Sequence, residues 1–66
     1  MQLVINGQAR QLENAGNVAE LMAALELNPA LVAVERNGAL VPRSRHGSEA
    51  LTEGDRIEIV RFIGGG

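Results

Sequence analysis

Hydrophobic and polar positions alternate in short blocks along this chain. Leu3-Val4-Ile5 is an apolar run that meets Asn6-Gly7, the pair best suited to a tight hairpin, because both central turn positions need positive φ. Ala9-Arg10-Gln11-Leu12 reads as the return strand. The period then changes. Val18, Leu21, Met22 and Leu25 fall at i, i+3, i+4 and i+7, one face of a helix of roughly two to three turns. Asn17 is placed to cap its start, with Glu20 completing an Asn-x-x-Glu capping box. Asn28 is expected to take the left-handed conformation at its end, and Pro29 prevents continuation.

After the helix the pattern returns to strands. Leu31 to Arg36 reads as one, Asn37-Gly38 as a second turn, and Ala39-Leu40-Val41 as a short strand stopped by Pro42. Arg43 to Ala50 is polar and irregular, with room for one short helical turn. Thr52-Glu53-Gly54-Asp55 is a turn, and Arg56 to Phe62 the last strand. The order β-β-α-β-β-β can bury one core only if the helix lies across one face of the sheet. Alternation turns Leu3, Ile5, Ile57 and Ile59 toward that helix and Val4, Val60 and Phe62 away from it. The second face has no helix to cover it. Val4, Val60 and Phe62, with Ile63 beside them, form a candidate partner-docking surface next to the end of the sequence.

Composition narrows the function classes. Sixty-six residues make one domain, divided here into a folded part at 1–63 and a flexible glycine tail at 64–66. The net charge of -2 gives no electrostatic case for nucleic acid. No apolar run is long enough for a membrane helix, and no signal-peptide pattern opens the chain, so cytoplasm is the expected location. Cysteine and lysine are both absent. A persulfide cannot be held by a side chain, and side-chain amide linkage between copies is excluded. No metal-ligand spacing is present. His46, the one histidine, has no recognisable catalytic partner and reads as a solvent-exposed loop residue. Asp55 in its turn is expected to bond its own backbone. Arg36, Arg43 and Arg45 read as solvated arginines, with an anion-facing patch as the alternative.

The sequence closes on Gly64-Gly65-Gly66. Such an end has no side chain to obstruct a narrow tunnel, and three extended residues reach roughly 10 Å. The Gly66 carboxylate is the candidate reacting group. Ordering the tail costs on the order of 1–2 kcal/mol per residue, which docking of the domain must offset.

The β-β-α-β order, the length and the glycines together resemble the β-grasp, ubiquitin-like fold, an α+β class with a mixed five-stranded sheet and one helix. Within it, Asn6-Gly7, Ala33 to Gly38, Val41-Pro42-Arg43-Ser44, Leu51 to Ile59 and Gly65-Gly66 resemble the ThiS family, the sulfur carriers of thiamine thiazole biosynthesis. Two departures stand out: His46-Gly47 where an aromatic residue is common, and a third terminal glycine. The resemblance implies a carrier that is a substrate of enzymes and not itself one. By the same resemblance, an E1-like adenylyltransferase is expected to use ATP and Mg²⁺ to adenylate Gly66. Sulfur from a cysteine desulfurase or another persulfide donor makes a thiocarboxylate, and thiazole synthase consumes it. No cofactor is held tightly by the carrier. The alternatives are the small subunit of molybdopterin synthase and a β-grasp binding module without acyl chemistry.

Overall fold

A computed structural model describes residues 1–62. Its elements are β1 (Gln2–Ile5), β2 (Gln8–Gln11), α1 (Val18–Ala24), β3 (Val32–Arg36), β4 (Ala39–Val41) and β5 (Arg56–Arg61), with 3₁₀ turns at Pro29–Leu31 and Arg43–Arg45. The strands form one sheet in the order β2-β1-β5-β3-β4. β5 runs parallel to β1 and antiparallel to β3, so the sheet is mixed as expected, and the strand added last sits at its centre.

Both Asn-Gly pairs make the predicted hairpins. Asn6 and Gly7 have φ of 49° and 81°, Asn37 and Gly38 of 51° and 87°, the left-handed values such turns require. Each asparagine does more than turn the chain. Asn6 Oδ1 accepts from Ile59 N at 2.8 Å while its Nδ2 donates to Ile59 O. Asn37 Oδ1 accepts from Arg56 N at 2.9 Å. The two turns therefore brace β5 from opposite sides.

Helix α1 begins as predicted. Asn17 Oδ1 accepts from Glu20 N at 2.8 Å, and the Glu20 carboxylate reaches back to Gly16 N at 2.7 Å. Its end differs from expectation. Glu26, not Asn28, takes the left-handed conformation, with φ 57°. Leu27 N bonds Met22 O and Glu26 N bonds Ala23 O, a Schellman closure that ends the helix earlier. Asn28 has φ -85° and instead caps the following 3₁₀ turn by accepting from Ala30 N. That turn takes Leu31, so β3 starts one residue later than predicted.

The core lies between α1 and one sheet face. Val18, Leu21 and Met22 pack with Leu3, Ile5, Val32, Val34, Val41, Leu51 and Ile57. Complete burial of a side chain such as Leu21 contributes about 2–3 kcal/mol. Ile59 packs against this cluster without full burial. The short helix leaves an open groove of about 420 Å³ beside Ile59, with Leu25, Leu27 and Arg61 in its lining.

Candidate functional site

The tail residues Gly64, Gly65 and Gly66, and Ile63 of the docking surface, lie outside the described residues. What leads to them is defined. Phe62 follows β5 and its N–H donates to Leu31 O at 2.9 Å, so pairing with the chain ahead of β3 continues to the last described residue.

Val60 and Phe62 are 61% and 60% exposed on the uncovered face, as the alternation predicts. Two more large apolar side chains join the exposed set, Leu31 and Leu40. Leu40 stands opposite Glu35, and Ala33 opposite Val60. Residues directly opposite share a sheet face. The apolar surface therefore runs from Leu40 and Ala33 to Val60 and Phe62. Val4 is half-buried and lies elsewhere on the same face, opposite Arg56. Arg56 and Val60 are four positions apart on β5, about 13 Å of strand, so Val4 is not contiguous with the Val60–Phe62 patch.

His46 corrects the sequence reading. It is 6% exposed, not a solvated loop residue. The 3₁₀ turn Arg43–Arg45 folds the chain back so that His46 O accepts from Ala19 N at 2.9 Å at the start of α1. Its Nε2 lies 3.3 Å from Val41 O, and Nδ1 is buried without a partner. His46 lines a groove with Ala19, Met22, Ala23 and Leu27, so it sits against α1 and not in solvent.

The arginines do not form one patch. Arg36 Nε donates to Asp55 Oδ2 at 2.7 Å and Nη1 to Glu49 Oε2 at 3.2 Å, while Arg43 and Arg45 stay exposed. Asp55 bonds the backbone of its own turn, accepting from Thr52 N at 2.8 Å, as predicted. It also accepts from Asn37 Nδ2 at 2.9 Å. Burial is the largest influence on this carboxyl and works against ionisation. The bonds from Asn37, Arg36 and Thr52, with the Arg36 charge, outweigh it and hold the pKa below the ordinary carboxylate value of 3.8. The bond to Asp55 likewise raises the Arg36 pKa. Sequence reading missed this cluster because Arg36 and Asn37 stand 13 to 19 residues from the carboxylates they meet. Leu40 was legible, since alternation with buried Val41 turns it outward.

Among the described residues, no group of three or more histidine or carboxylate side chains is arranged to hold a metal. No helix there is long and apolar enough to cross a membrane.

Comparison with known proteins gives a consistent picture. The family model described as the ThiS family matches residues 3–66. A crystal structure of the thiamine biosynthesis protein ThiS from Geobacter metallireducens is 35% identical, with a TM-score of 0.85 and complete coverage of both chains. A solution structure of a thiamine biosynthesis protein from the same organism gives 0.80, covering 100% of this chain and 88% of that one. A thiazole synthase of Paramagnetospirillum magneticum is 46% identical over 66 residues, all of this chain. The chain spans 20% of that relative's length.

Proposed function

This chain belongs to the ThiS family, the sulfur carriers of thiamine biosynthesis, and on that premise we propose that Gly66 bears the sulfur and that the exposed sheet face docks the enzymes acting on it. The observation that carries this reading is the family match, which runs through the glycines to residue 66 on a domain of the same fold.

A carboxylate is a poor electrophile and must be activated. In the proposed sequence the Gly66 carboxylate attacks the α-phosphorus of ATP, held with Mg²⁺ by an E1-like adenylyltransferase, and expels pyrophosphate. The terminal sulfur of a persulfide then attacks the acyl carbon and AMP leaves. A second thiol cleaves the resulting acyl disulfide, forming a disulfide with the donor and releasing the Gly66 thiocarboxylate. Thiazole synthase takes that sulfur. The chain is throughout a substrate of these enzymes, which supply the catalytic groups in the cytoplasm.

The chain's own contribution is shape. Glycines at 64 to 66 admit the acyl carbon to a narrow site. The domain stays outside, held through Val60, Phe62 and the adjoining Leu40. The domain contributes no cysteine to compete for the sulfur. The thiazole synthase partnership draws support from the relative of that name, which contains a stretch matching this whole chain.

The test is intact-mass spectrometry after incubation with the adenylating enzyme, ATP, Mg²⁺ and a sulfur donor. The mass should rise by one oxygen-for-sulfur exchange at the C-terminus. Unchanged mass, under conditions that convert the Geobacter protein, would overturn the reading.

A further inference from the structure

The uncovered sheet face carries a charge placement that its apolar patch does not explain. Glu35 on β3 and Glu58 on β5 stand directly opposite each other in the register, and both are exposed. Like charges so placed destabilise a sheet. The rung is bounded by apolar groups. Leu40 faces Glu35 from β4, and Ala33 and Val60 form an adjacent rung of the same face. Phe62 lies beyond them.

Neither glutamate is ion-paired among the described residues. Both ion pairs among the described residues belong to Arg36, whose register partner is the buried Ile57 on the other face. Arg56 shares the face with Glu58, two residues away, yet makes no ion pair among the described residues.

A partner that covers Leu40, Val60 and Phe62 must also take water from the two carboxylates. Burying them unpaired would oppose binding. Covering the patch with an apolar surface alone therefore fails, and an acidic surface fails further. We propose that this face docks a protein surface presenting a basic side chain, ringed by apolar ones, that inserts between Glu35 and Glu58. Arginine fits better than lysine, because its planar guanidinium can donate to two carboxylates at once. The Glu35–Glu58 rung thus sets register for the neighbouring apolar contacts, and its charge steers the encounter. The inference deepens the carrier reading and rests on it: the docked partner is the adenylating enzyme.

The experiment measures the Kd of that enzyme for the wild-type chain and for the double variant E35Q/E58Q, at low and at high salt. The wild type should bind more weakly as salt rises. The double variant should bind about tenfold more weakly at low salt and respond less to salt. It should melt no lower than the wild type, which separates lost recognition from lost folding. The charge-reversed E35K/E58K should bind more weakly still. A double variant that matches the wild type in Kd and salt response overturns the proposal. So does self-association of the wild type that the variant loses, since the face would then serve a second copy. Absence of any wild-type complex would instead overturn the carrier reading beneath it.

Discussion

Replacing Asp55 with asparagine separates charge from shape at the best-connected polar cluster of the fold. Asp55 Oδ2 accepts from Arg36 Nε and Thr52 N, and Oδ1 accepts from Asn37 Nδ2. In Asp55→Asn the remaining amide oxygen can keep the first two bonds, now with a neutral acceptor. The new amide nitrogen then faces the Asn37 donor. Asn37 cannot turn around freely, because its Oδ1 is committed to Arg56 N. Two charge-assisted bonds weakened by about 1 kcal/mol each, and a third lost, amount to about 3 kcal/mol. A domain of 66 residues has about 3–10 kcal/mol in all. The variant should therefore lose about 12–24 °C of melting temperature. Because Asp55 holds its pKa below 3.8 in the folded state, the native form binds fewer protons than the unfolded chain just below that pH. Its contribution is complete above about pH 5 and disappears as pH falls through the folded value. Urea denaturation at neutral and at strongly acidic pH reads both effects. The wild-type advantage should be large at neutral pH and shrink in acid. A neutral-pH difference below about 0.5 kcal/mol, or one that persists in acid, would refute the reasoning.

Gly65→Val should leave the melting curve unchanged and abolish oxygen-for-sulfur exchange; normal exchange by mass spectrometry would show that narrowness at the tail is unimportant. His46→Ala should destabilise by about 2 kcal/mol in a thermal melt, because it empties a buried site beneath α1; a loss within error would return His46 to the surface role first expected. Asn6→Gly keeps the turn conformation but removes both bonds to Ile59, so stability should fall by about 1 kcal/mol in denaturant, with activation at Gly66 retained. Glu49→Gln, at a partly exposed ion pair, should cost less than 1 kcal/mol by the same measurement.

The sequence-readable parts of this fold are those set by neighbours in the chain. Asn6-Gly7 and Asn37-Gly38 declare their hairpins because positive φ is a local demand. Asn17 and Glu20 declare the helix start for a similar reason. The helix end was misplaced because a Schellman closure with glutamate at its left-handed position breaks the usual preference for glycine or asparagine. His46 was misread because its burial depends on how the Arg43–Arg45 turn meets α1, a tertiary contact that a polar segment does not advertise. The exposure of Val60 and Phe62 followed from alternation. The separation of Val4 from them needed the parallel register of β1 with β5, which no single strand encodes.

The position of β5 has a mechanical consequence. The chain that runs on toward Gly66 is anchored in the sheet's central strand, with β1 on one flank and β3 on the other. A pull along this strand loads the hydrogen bonds to both neighbours in shear, so several must give way together. The Asn6 and Asn37 side chains act as pins on either flank of the same strand. An enzyme that draws in the last residues can therefore apply tension without unzipping the domain that holds them.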